Sequence, residues 1–122
     1  MAAETAASLF SSCGLEADVV DSVKHLLWEK LFVNMTANPL TALTDTPIGA
    51  IATDPNLREL ARALIDEAVA VAAADGERFD ASSVFSALLR TAETLSTGKA
   101  SMCQDLERKR RTEIDFINGA VV

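Results

Sequence analysis

The chain has no tyrosine, one tryptophan and five phenylalanines in 122 residues. Aromatic side chains make up 5% of it, which leaves no platform for stacking single-stranded bases. Positive charge is scarce too: 11 Lys and Arg stand against 18 Asp and Glu, a formal net charge of −7. Proteins bind phosphate backbones chiefly by neutralising them with Lys and Arg, so general nucleic-acid binding is excluded. The two cysteines, Cys13 and Cys103, lie far apart. Such a pair builds neither a zinc site nor a disulfide framework, and it fits free thiols in a reducing compartment. No apolar run approaches the ~20 residues that span a bilayer. The opening residues, MAAETAASLFSS, lack the basic start of a secretory signal. These absences point to a soluble, cytoplasmic protein.

What is present reads as one helical domain. Apolar residues make up 49% and the mean hydropathy is +0.19, which argues against disorder. The length suits a single domain with a modest core. No stretch keeps a strand's period of two for long. An Ala-rich helix is expected over 2–12, ending near Gly14. Asp18 or Asp21 is expected to cap the next helix, with Val23, Leu26, Leu27, Leu31 and Phe32 as its apolar stripe. Pro39 lacks an N–H, so this helix should kink or stop around it. A connector follows over 44–47, then a short helical piece over 48–53. Asp54-Pro55 reads as a helix start, with Asp as N-cap and Pro at the first helical position. That helix should run over 56–75 on Leu57, Leu60, Leu64, Ile65, Ala68 and Val71, and stop at Gly76. Asp80 should cap a further helix, ending near Leu95. Residues 96–100 form a small-residue loop. Thr112 should cap a last helix carrying Ile114, Ile117 and Val121.

Two stretches break the amphipathic pattern. In WEKLFVNMTANP (28–39), Lys30, Asn34 and Asn38 fall four residues apart and so stack on one side of a helix. In SMCQDLERKRRTEIDFIN (101–118), hydrogen-bonding side chains surround a basic run. The expectation is that the two stretches face each other. A Lys–Glu pair in a cleft can protonate a carbonyl oxygen as it becomes an alkoxide. Asn amides suit hydroxyl and carboxylate groups. Ser101 at a helix start can help hold an anion, and a helix N-terminus favours Glu113 as a carboxylate. Each residue also has an ordinary reading. Lys30, Asn34 and Asn38 can be a solvated face, and Ser101 and Glu113 plain caps. Asp105 and Asp115 can pair with the run Arg108 to Arg111. That run is an exposed face or a local field for an anion. His25 reads as structural or surface, Trp28 as packing, and Cys103 has no activating base beside it.

In combination the residues say more. The blocks Lys30-Leu-Phe-Val-Asn34-Met-Thr-Ala-Asn38-Pro39, then Ser101-Met-Cys-Gln104-Asp105, then Thr112-Glu113-Ile-Asp115-Phe-Ile-Asn118-Gly119 occur in that order. Together they resemble the C-terminal domain of the ketopantoate reductase (2-dehydropantoate 2-reductase) family, over nearly the whole chain. The resemblance implies the all-α fold of 6-phosphogluconate dehydrogenase-like enzymes. It also implies reduction of ketopantoate to pantoate with NADPH, on the way to pantothenate and coenzyme A. In that reading Lys30 is the general acid. Glu113 holds the substrate hydroxyl and helps set the charge on Lys30. Asn34 and Asn38 hold the substrate, and Ser101 binds its carboxylate side.

The family's NADPH sits mainly on an N-terminal Rossmann domain with a Gly-x-Gly-x-x-Gly turn. The five glycines, at 14, 49, 76, 98 and 119, form no such motif. Residues 1–122 are therefore expected to be the substrate and catalytic domain alone. It has no cofactor-binding residues of its own and no metal site, and it is cut short at its C-terminal end. Little activity is expected in isolation. Apolar helix faces left open by truncation should be covered by association, giving a homodimer or a higher oligomer. Two other functions fit the same residues: a non-catalytic helical module for dimerisation or binding, and a reductase of another 2-oxo acid.

Overall fold

A computed structural model describes residues 2–122. They form α1 (Ala2–Ser12), α2 (Val23–Thr44), α3 (Ala50–Thr53), α4 (Pro55–Ala74), α5 (Ala81–Thr94), α6 (Ser101–Glu107) and α7 (Ile114–Ile117). No strand occurs among the described residues, and the fold is all-α as expected. The long α2 is the axis: α3, α4, α5, α6 and α7 all pack on it.

Local chemistry sets most of the boundaries. The Asp54 carboxylate accepts from the N–H groups of Asn56 and Leu57, with Pro55 next to it, and starts α4. Asp80 accepts from the Ser83 N–H and starts α5. Gly14 and Gly76 follow α1 and α4 with φ of +79° and +90°, a region that favours glycine. At α2 the expectation fails: Ser22, not Asp18 or Asp21, is the cap, accepting from the His25 N–H at 3.1 Å.

The core lies where α4 and α5 meet α2. Phe32, Ile51, Ile65 and Leu88 are fully buried. The buried seam of α4 is Leu57, Ala61, Ile65, Ala68 and Ala72, at steps of four, four, three and four. Its alanines let the helices approach closely. Leu60, expected in the core, lies beside that seam and is 53% exposed. Val23, Leu26 and Leu27 are exposed as well, because α2 is buried only from Trp28 onward. The helix α1 packs on no other helix and buries none of its residues. With Leu15, Val19 and Val20, its Leu9 and Phe10 leave an open apolar surface at this end.

Pro39 does not stop α2, which runs on to Thr44. Its missing N–H leaves the Met35 carbonyl without its i+4 donor. The Asn118 side-chain Nδ2 donates to that carbonyl at 2.8 Å. A donor from the far end of the chain thus replaces the one proline removed.

The corner after α4 is tied to the start of α2. Trp28 Nε1 donates to Asp75 at 3.0 Å, and Lys24 pairs with the same carboxylate at 2.9 Å. His25 Nδ1 lies 2.9 Å from Glu77 and its ring stacks on Phe79. Hydrogen bonds from Lys24 and Trp28 hold the Asp75 carboxyl below its ordinary value of 3.8. Ser83 lowers that of Asp80 in the same way. A depressed carboxyl contributes stability that is present above its unfolded value and is lost as pH falls through its folded value. Urea midpoints should therefore drop as pH falls below about 4. Asp75→Asn should lower the midpoint at neutral pH, and its deficit should vanish in acid. A deficit constant with pH would contradict this.

Candidate functional site

The site grows out of α2. Lys30, Asn34 and Asn38 are four residues apart, so successive side chains start about 6 Å apart along the axis. Burial deepens along the row: Lys30 is exposed, Asn34 half-buried, and Asn38 only 6% exposed. None of the three side chains has a hydrogen-bond or ion-pair partner among the described residues. A nearly buried amide with no protein partner stays there only if something else, water or ligand, satisfies it.

The second polar stretch is held against this helix at two points. In α6, Met102 and Cys103 are buried, and the Cys103 Sγ–H donates to the Thr41 carbonyl at 3.3 Å. In the last segment, Ile117 is buried and Asn118 donates to Met35. The two stretches therefore do face each other. Ser101 is the first residue of α6 and is exposed, and its side chain has no hydrogen-bond partner among the described residues. The N-cap position belongs to Ala100, so Ser101 is not the plain cap of the ordinary reading. Glu113 itself takes the N-cap position of α7 expected of Thr112, and no side chain caps the helix there. Its backbone carbonyl accepts from the Phe116 and Ile117 N–H groups at 3.0 Å, while its exposed carboxylate has no partner among the described residues.

Some expected features are missing. Lys30 and Glu113 form no ion pair with each other among the described residues, and Lys30 is not desolvated. No cluster of three metal-ligating side chains occurs among those residues. The basic run is exposed and partly neutralised, with Arg111 2.9 Å from Asp115 and Arg110 3.5 Å from Asp105. A cavity of about 410 Å³ lies between Phe32, Val33, Phe79, Ser83 and Val84, bordered by Glu29. Another, of about 220 Å³, lies between Pro39, Ala42, Met102, Leu106 and Ile114. Neither is lined by any of the five candidate residues. The five supply a cation, two amides, a hydroxyl and a carboxylate on α2, on α6 and at the start of α7, and both α6 and α7 pack against α2.

Sequence reasoning did not assign Asn118 a role. The signal was there: a proline inside a helix announces a carbonyl in need of a donor. The burial of Thr36, whose Oγ1 has no partner, carried no such signal.

Residues 22–122 match the family model for the ketopantoate reductase PanE/ApbA C terminal. A 2-dehydropantoate 2-reductase of Archaeoglobus fulgidus is 40% identical over 120 residues, which is 98% of this chain and 40% of that protein. The enzyme of the same name from Mesorhizobium japonicum is 39% identical over 88% of this chain and 32% of its own length. Among solved structures, a PanE/ApbA family ketopantoate reductase from Ralstonia eutropha superposes with a TM-score of 0.88 at 34% identity, over 97% of this chain and 39% of that one. A D-mandelate dehydrogenase with NADH and anilino(oxo)acetate superposes at 0.89 and 30% identity, over 98% of this chain and 50% of that one. The chain thus spans roughly a third to a half of these relatives' lengths.

Proposed function

The chain belongs to the ketopantoate reductase C-terminal family, and we propose that it is the substrate-side half of an NADPH-dependent 2-dehydropantoate 2-reductase. The observation that carries this is the set of unpartnered side chains on and against α2. Lys30, Asn34, Asn38, Ser101 and Glu113 have no side-chain partner among the described residues, and Asn38 lacks one although it is only 6% exposed. A scaffold has no physical need for a buried, unpartnered amide at Asn38 in line with Asn34.

The described residues do not fit a dinucleotide. They form no strand and no glycine-rich turn, and such cofactors are usually seated on both. The cofactor is assigned to another part of the enzyme, and no step here runs through it. This chain's own residues work on the substrate. Asn34 and Asn38 hold its polar groups and Ser101 its carboxylate side. Lys30 gives its proton to the carbonyl oxygen as the carbon is reduced, and Glu113 holds the hydroxyl that results. The exposure of Lys30 fits a cleft that closes only when a second surface covers it. The open apolar surface of α1 and the first turns of α2 suits docking to that other half, or association into a dimer, in a cytoplasmic enzyme.

Ketopantoate-dependent oxidation of NADPH tests the reading. The chain alone should show little or no turnover, and a chain joined to a dinucleotide-binding half should turn over. Robust activity of the isolated chain would overturn the division of labour. One observation favours a second reading: the superposition on a D-mandelate dehydrogenase keeps the chemistry but opens the choice of 2-oxo acid. Turnover with an aromatic 2-oxo acid and none with ketopantoate would select it. A non-catalytic module for dimerisation is the remaining alternative, and turnover of either acid by the joined protein removes it.

A further inference from the structure

We propose that Asn118 is a positioning residue: its amide replaces the donor that Pro39 removed from α2, and so fixes α7, with Glu113 at its start, along the row of Lys30, Asn34 and Asn38. The hydrogen bond stands by itself; only the kinetic part rests on the reading of Lys30 and Glu113 given above.

The geometry favours this over a chance contact. The acceptor is a carbonyl, so the Asn118 amide must turn its nitrogen to it, and the orientation of the group is chemically fixed. Its Oδ1 then faces away, buried and without a partner, so the side chain is held there at a cost. The next residue permits the approach. A Cβ on Gly119 would come within 2.4 Å of the Asp115 carbonyl oxygen, so only glycine lets the chain turn this tightly. The Gly119 N–H closes that turn on the Ile114 carbonyl at 3.0 Å. Glu113 lies one short turn upstream of Asn118. The pair Asn38-Pro39 and the pair Asn118-Gly119 are thus two halves of one device. Proline opens a carbonyl at Met35, one residue from Asn34, and the last segment is pinned to it.

The test is a double-mutant cycle with two readouts. In this chain, Asn118→Ala should lower the folding equilibrium constant about tenfold or more, because the Met35 carbonyl loses its donor. Pro39→Ala restores a backbone N–H that can donate to the same carbonyl. On that background Asn118→Ala should lower the constant less than about threefold. Equal losses on both backgrounds would overturn the replacement of one donor by the other. In the reductase that carries this domain, Asn118→Ala should lower kcat by up to about 10²-fold, as misplacement of a reacting group does, with a smaller change in KM. The double variant should regain stability but not kcat, because α7 is still untied. If kcat returns with stability, Asn118 is structural and the positioning claim falls. If the unsubstituted enzyme does not reduce ketopantoate, the reaction reading fails instead. The placement is then decided by amide NMR shifts of 112–117. These should move in Asn118→Ala and stay moved in the double variant; their return would overturn the claim.

Discussion

If Lys30 is the general acid of the reductase proposed above, Lys30→Ala in the chain joined to a dinucleotide-binding half should cut kcat by about 10²–10⁴-fold, the range a positioned general acid supplies. The fold should not notice. Lys30 is exposed and bonds to nothing among the described residues, and substitutions at such sites change stability by about 0.5 kcal/mol or less. Circular dichroism and the thermal midpoint should match the parent while NADPH oxidation collapses. Lys30→Arg sharpens the test. It keeps the positive charge, but a guanidinium does not give up its proton in proteins. If Lys30 only attracts an anionic substrate, arginine should largely restore turnover. If it donates a proton, arginine should restore KM more than kcat. A Lys30→Ala enzyme that keeps most of its turnover would remove this residue from the chemistry and leave Glu113 or water as the proton source.

Where the sequence could be read, the physics was local. Asp54-Pro55, Asp80, Gly14 and Gly76 act on backbone groups two or three residues away, and all four mark helix ends as expected. Where it could not, the deciding partner was distant. Leu60 has the right spacing for a core residue, yet the alanines at 61, 68 and 72 draw the packing to their own side of α4. Val23, Leu26 and Leu27 form a sound apolar stripe that stays exposed, because the helices packed on α2 meet it further along. Ser22 outcompetes Asp18 and Asp21 because the helix starts later than the acids alone suggest. The Met35 carbonyl that Pro39 leaves without a backbone donor is met by Asn118, from the far end of the chain. The candidate site divides in the same way. The identities of its five residues came from three sequence blocks. The exposure of Lys30, Ser101 and Glu113, and the lack of a Lys30–Glu113 ion pair among the described residues, are set by how the helices pack.

Phe32→Ala should do the opposite of Lys30→Ala, two residues further along the same helix. Phe32 is 1% exposed and sits at the centre of an aromatic group. Its ring centroid lies 5.7 Å from that of Trp28 and 4.9 Å from that of Phe79, the latter edge-on. Truncating a buried Phe to Ala costs about 3–5 kcal/mol through lost burial and the cavity left behind. Folded domains of this length hold only about 6–18 kcal/mol in total. The urea midpoint should therefore fall by a large fraction, and the variant sits near unfolding at 37 °C if the parent is at the low end of that range. The damage should spread to the corner after α4, because Phe79 loses the ring it packs on and His25 stacks on Phe79. Phe32→Leu keeps most of the volume and should recover most of the loss. A small midpoint shift for Phe32→Ala would mean that this end of α2 is not part of the cooperative core. The row that begins at Lys30 would then stand on a loose support, and a stability loss in Lys30→Ala could no longer be excluded as the cause of lost turnover.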